Sequence, residues 1–211
     1  MMEGARVAVK RQLGQAWYGL FERTHRPAAH GPERTVLLLR ADGIGDLLFS
    51  LPLVETIRRS ESPRRTILLC DHGAESFIRS LGVVDEVIPF ERLRYRWDPS
   101  YRWKLWKILR GLRAELAISL QYHRSPTSDE LLLASGAAHA VALSGNNEMI
   151  SEKVRRRFNA RFDHVIDVPD HVPERQRYEV LARAQGWSAV DWDRTYELRR
   201  DRAESHGAST V

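Results

Sequence analysis

Residues 35–59, TVLLLRADGIGDLLFSLPLVETIRR, decide how the rest of the chain is read. The apolar run Val36-Leu37-Leu38-Leu39 ends in a Gly/Asp turn, Ala41-Asp42-Gly43-Ile44-Gly45-Asp46. Leu47, Leu48, Leu51, Val54 and Ile57 then recur close to helical spacing. Buried strand, tight turn and helix is the unit this pattern predicts. Open α/β sheets place ligands at the carboxyl ends of their strands, so Asp46 falls where a site is expected.

The chemistry of the turn follows from its residues. Gly43 and Gly45 can take positive φ and can let a ligand or another backbone come close. Asp46 precedes the helical pattern and reads as an N-cap accepting from the amide of Leu48 or Phe49. It also reads as a general base, since a helix N-terminus favours the ionised carboxylate. The two roles are compatible. A dinucleotide fingerprint would need a third glycine where Leu48 stands, and a P-loop would need Gly-Lys-Ser/Thr. An acid beside free amides suits a hydroxyl group better than a phosphate.

Outward from this unit, strands are predicted at about 35–40, 66–70, 86–89, 116–120, 138–143 and 163–168. Helices are predicted at about 46–59, 73–81, 100–113, 128–135 and 172–186, and 146–161 reads as a polar, basic loop with a short helix. Strongly apolar strands alternating with helices argue a Rossmann-like parallel sheet covered on both faces, an α/β fold.

Composition agrees. Of the 211 residues, 43% are apolar and 29% charged, as in globular domains. No run of 18 apolar residues is present, and the N-terminus lacks the apolar core of a signal peptide. The single cysteine, Cys70, ends an apolar strand and reads as a small buried hydrophobe; a lone cysteine fits a cytoplasmic protein. His72, His139, His164 and His171 show no metal-ligand spacing, so no metal site is expected.

Three further segments carry alternatives. Val9, Leu13, Trp17, Leu20 and Phe21 share a helical face near Arg6, Lys10 and Arg11, so residues 1–33 read as an amphipathic helix and linker. That helix packs on the domain or lies on an anionic membrane surface. From Arg92 to Arg113, basic residues including Arg96 interleave with Tyr95, Trp97, Tyr101, Trp103 and Trp106. This is an amphipathic helix with a solvated basic face, or a surface for an anionic acceptor. Basic-aromatic interleaving, with a net charge of +5, also admits single-stranded nucleic acid, the weakest of the three because no RNA-binding signature accompanies it. The loop Gln121-Tyr122-His123-Arg124-Ser125 is either a capped loop feeding the Asp129 helix or a second ligand-facing strand end.

The run from Leu38 to Leu48 followed by Leu51-Pro52 resembles the opening motif of the family 9 glycosyltransferases, which include the ADP-heptose:lipopolysaccharide heptosyltransferases. The resemblance continues through Thr66–Cys70, Val84–Pro89, Glu115–Gln121 and Val180–Gly186. It implies the N-terminal half of a two-domain GT-B-type enzyme: an acceptor domain at 34–187, and 188–211 as a tail toward a C-terminal donor domain. It implies Asp46 as the base, presented by Gly43 and Gly45. Arg40, Arg96, Gln121, His123 and Arg124 would bind the acceptor's hydroxyls or phosphate. The co-substrate would be ADP-heptose or another nucleotide sugar, with no metal or other cofactor. The acceptor would be a glycolipid or lipopolysaccharide core, met in the cytoplasm or at the inner face of the membrane.

A chain of 211 residues holds one large domain, too little for both halves of that architecture. Three expectations follow: a fragment of a longer enzyme, which is preferred; a stand-alone, non-catalytic acceptor-binding half; or one subunit whose partner chain supplies the other half.

Overall fold

The computed structural model describes residues 34–60 and 65–193. Six strands form one sheet: β1 (Thr35–Arg40), β2 (Arg65–Asp71), β3 (Glu86–Phe90), β4 (Leu116–Ser119), β5 (His139–Leu143) and β6 (His164–Ile166). All pairings are parallel, in the order β3-β2-β1-β4-β5-β6. The helices are α1 (Ile44–Ser60), α2 (Glu75–Leu81), α3 (Arg92–Trp97), α4 (Pro99–Gly111), α5 (Pro126–Ala134), α6 (Glu152–Asn159) and α7 (Glu174–Ala184). The expected α/β fold is the one observed.

Period-two alternation divides the core. Val36 and Leu38 face one layer with Leu51, Val54 and Ile57 of α1, Ile78 of α2 and Leu181 of α7. Leu37 and Leu39 face the other, with Leu105 and Leu109 of α4, Leu131–Leu133 of α5 and Phe158 of α6. Every residue of β1 is buried. A strand covered on both sides needs apolar residues at every position, which is why this segment is a continuous run.

Local chemistry sets the helix boundaries. Helix α1 starts at Ile44, and the Leu47 amide donates to the Gly43 carbonyl at 3.0 Å. Asp46 therefore stands within the first turn and is not the N-cap. Gly43 and Gly45 are absent from the positive-φ glycines, so the turn does not need their left-handed freedom. Helical backbone begins early enough to make the turn without it. The single helix expected over 100–113 is the second of two. Pro99 drives Asp98 to extended backbone (φ −109°, ψ 100°). The Asp98 carboxylate then caps α4 through the amides of Ser100 and Tyr101 at 2.9 and 3.0 Å. Those bonds, the Tyr101 amide first, hold the Asp98 carboxyl below its ordinary range. Ser125 caps α5 in a reciprocal bond with Ser128, with Pro126 at the first helical position, as the capped-loop reading expected.

Packing continues beyond Trp187. Val190 joins the first core layer, and the Trp192 indole stacks on Tyr178 and donates to Glu179 at 3.1 Å. The helix expected within 1–33 and the tail residues 194–211 lie outside the described residues. No helix among the described residues is long and apolar enough to cross a membrane.

One glycine ties two strand ends together. Gly145, just past β5, has φ +66°, and a Cβ there would stand 2.9 Å from the Tyr122 carbonyl oxygen and 3.2 Å from Arg124 Cδ. Neither the backbone angle nor the backbone neighbour can give cheaply. Gly145→Ala is expected to lower unfolding free energy by about 2 kcal/mol or more, read from urea denaturation. An unchanged midpoint would show that the loop relaxes freely.

Candidate active-site cleft

The strand order reverses between β1 and β4, and a ligand crevice is expected where the loops leaving those strands diverge. A cleft of about 810 Å³ lies there. One wall is acidic, with Asp42, Asp46 and Glu174; the other is basic, with Arg92, Arg96 and Arg102. Gln121 and His123 follow β4 into the same cleft.

Arg40, the last residue of β1, organises the acidic wall from beneath. It is 2% exposed. Nη1 donates to the Leu120 carbonyl at 2.6 Å and to the Tyr178 hydroxyl. Nη2 lies 2.7 Å from Glu174 Oε1 and 3.9 Å from Asp46 Oδ1. Nε is 2.6 Å from Asp42 Oδ1, a close ion pair whose angles are not those of a hydrogen bond. Burial alone would lower the Arg40 pKa, but Tyr178, Asp42 and Glu174 around it hold it above its ordinary value. Burial pushes the Asp42 carboxyl up, against the pull of Arg40 and of a hydrogen bond from Gln121. Burial likewise keeps the Tyr178 hydroxyl protonated, its pKa well above the usual phenol value.

Asp46 differs from its neighbours. Its side chain is 52% exposed and touches Arg40 only at the long 3.9 Å distance. Asp42 and Glu174 are held by the buried guanidinium at 2.6 and 2.7 Å. Of these three carboxylates, Asp46 is the one open to a ligand. Gly45 beside it has nothing within 4 Å of where a Cβ would lie, so its bareness serves no packing need of the described residues.

The basic wall is partly committed. Arg92 donates to the Ala41 carbonyl, and Arg102 donates to the Tyr95 carbonyl at 3.1 and 3.0 Å. Beneath it, the Trp106 indole donates to the Tyr95 hydroxyl, which donates to Glu130 at 2.8 Å. Arg96 is exposed, with its guanidinium 4.9 Å over the Trp97 ring. At the mouth, His123 Nδ1 stands 3.0 Å from Glu148 Oε2.

Thus Asp46, Arg96, Gln121 and His123 line one cleft. Arg40 lies at its base, but its donors are committed to protein groups and not open to an acceptor phosphate. Gly43 precedes α1, and Gly45 lies in its first turn. Arg124 does not reach it. It is 0% exposed, forked on Asp129 at 2.9 and 2.8 Å, bonded to the Leu143 carbonyl and Asn159 at 2.9 and 2.8 Å, and stacked on Phe162. It holds β5 and α6 to α5 and is closed to an acceptor. Arg92 and Arg102 belong to the basic segment read as a surface for an anionic acceptor, whereas Asp42, Glu174 and Tyr178 were assigned no role from the sequence. Asp42 was visible inside the turn, whereas Glu174 and Tyr178 meet Arg40 only through the fold. Among the described residues no group of three or more His, Cys, Asp or Glu could hold a metal ion.

Neither a family model nor a curated protein matches the chain. Solved structures do. The E. coli heptosyltransferase WaaC, solved with ADP, is 16% identical with a TM-score of 0.57, over 74% of this chain and 48% of WaaC. A family 9 glycosyl transferase from Veillonella parvula is 14% identical with a TM-score of 0.57, over 77% of this chain and 45% of that one. The E. coli ADP-heptose lps heptosyltransferase II is 18% identical with a TM-score of 0.52, over 70% and 40%. At these identities the shared property is the fold. The chain spans about half the length of the structures it matches, or less.

The Arg124–Asp129 pair makes a stability prediction. Burial pushes the Asp129 carboxyl up, opposed by the bonds from Arg124, so removing the arginine strands a buried acid. Arg124→Met is expected to cost about 3–5 kcal/mol in urea unfolding, and Arg124→Met/Asp129→Leu to recover most of it. A near-neutral single variant would show that Asp129 finds another partner.

Proposed function

We propose that this chain is the acceptor-binding lobe of a family 9-like glycosyltransferase, with Asp46 as the general base. The carrying observation is that Asp46 is the open carboxylate of the acidic wall, in a cleft at the point where the strand order reverses. The fold shared with heptosyltransferases and the Gly-Asp turn followed by Leu51-Pro52 support the same reading.

In this reading an acceptor hydroxyl enters beside Gly45. Its oxygen attacks the anomeric carbon of a nucleotide sugar, and Asp46 takes its proton. The bond from the anomeric carbon to the diphosphate oxygen breaks, and the nucleoside diphosphate departs with the electron pair. Arg40 acts from behind, anchoring Asp42 and Glu174 so that the wall keeps its shape. Arg96 and His123 face the polar or anionic groups of a glycolipid or lipopolysaccharide-core acceptor. WaaC has been solved with ADP and with an ADP-2-deoxy-2-fluoro heptose, which makes an ADP-activated heptose the first donor to try. A second lobe, in a longer chain or a partner protein, holds that donor. No metal or further cofactor enters the scheme. The reaction takes place in the cytoplasm or at the inner face of the cytoplasmic membrane.

The test uses the protein as isolated from its own cells, with ADP-heptose and lipopolysaccharide core, followed by ADP release. Asp46→Asn is expected to lower kcat about 10²–10⁴-fold, with acceptor affinity within about twofold. Retained turnover would remove Asp46 from catalysis; acceptor binding without transfer in the unaltered protein would favour a binding module. Gly45→Ala separates ligand approach from folding. It is expected to stabilise the helix by roughly 0.5 kcal/mol while raising the acceptor KM, and an unchanged KM would show that the acceptor does not pass Gly45.

A further inference from the structure

Seven large apolar side chains are exposed among the described residues, and four of them fall in the short stretch of α3 and α4: Leu93 (73%), Trp97 (54%), Trp103 (46%) and Ile108 (52%). Such a concentration is not the scatter of single exposed apolar residues that any surface shows. On α4 the exposed face carries Trp103, Lys104, Lys107 and Ile108, at spacings that put them side by side. The opposite face carries Leu105, Trp106 and Leu109, buried against the sheet. The outward stripe is therefore apolar and basic where a helix covering a sheet is ordinarily just polar.

Its charge has one sign. Asp98 is consumed in capping α4, and Glu91 pairs with Arg94 at 2.9 Å. Lys104 and Lys107 make no ion pair among the described residues, and Lys107 Nζ lies 5.8 Å over the Trp103 ring. Arg96 both lines the cleft and covers Trp97, so the surface runs on from the cleft mouth.

We propose that the outward face of α3 and α4 docks the protein on an anionic phospholipid surface. Tryptophan rings settle at headgroup level, and lysine stems lie along apolar surface while their ammonium groups meet phosphate. Leu93 and Ile108 favour lipid over nucleic acid, because an aliphatic chain gains from the acyl boundary and offers a base nothing to stack on. The α4 part of the stripe backs onto a face of the sheet through Leu105, Trp106 and Leu109, while the α3 part borders the cleft mouth. The proposal stands whether or not the chain takes part in sugar transfer.

The experiment is sedimentation of the full chain with vesicles of phosphatidylcholine, alone or with roughly one-third phosphatidylglycerol. Binding is expected to the anionic vesicles alone and to weaken as salt rises. Lys104→Glu/Lys107→Glu is expected to lower the partition coefficient roughly thirtyfold, and Trp97→Ser/Trp103→Ser roughly tenfold. All four side chains are exposed, so both variants should keep the parent's thermal melt. Undiminished sedimentation of both would overturn the proposal and send the search to other residues. Failure of the parent chain to bind would overturn it outright. So would variants that lose affinity for a single-stranded RNA while holding the vesicles.

Discussion

The arrangement of this protein depends on one buried guanidinium. Arg40 closes β1 at the place where the sheet's order reverses, and its donors reach the carbonyl that follows β4, two residues of α7 and the turn that opens α1. Burying a cation costs several kcal/mol after relaxation, and attraction offsets that only when the partners are close and well placed. Here two carboxylates lie within 2.7 Å, so the penalty is met by fixing elements that are distant in sequence. Replacing the arginine with an apolar side chain would leave Asp42 and Glu174 facing each other without a cation. The cleft wall is thus an electrostatic construction more than a hydrophobic one.

That construction explains which parts of the molecule were legible in the sequence. The strands were legible because a doubly covered strand writes itself as an unbroken apolar run, and Val36 to Leu39 do so. The turn and its acid were legible because local residues make them. The break before α4 was written in Asp98-Pro99, but the regular apolar spacing beyond it drew the eye to one helix. Arg124 was misjudged for a different reason. It follows a strand whose end faces the cleft, yet its side chain turns inward to Asp129, and spacing cannot say which way a long side chain turns. Glu174 and Tyr178 left no local sign, because their role comes from a meeting across 134 and 138 residues.

The same electrostatics separate the acids of the cleft by availability. A carboxylate committed to a buried guanidinium loses that charge attraction if it takes a proton, so its proton uptake is coupled to the wall's stability. Asp42 and Glu174 are so committed, and moving either would leave Arg40 short of the charge that balances its burial. Asp46 pays no such penalty: its closest approach to Arg40 is 3.9 Å, and half its side chain meets solvent. It also sits in the first turn of α1, where the backbone amides favour negative charge without occupying it through a cap. A wall with two fixed acids and one free acid around a single cation holds its shape while leaving one oxygen pair to react. The distinction rests on distance and exposure, and it selects Asp46 independently of any resemblance to other proteins.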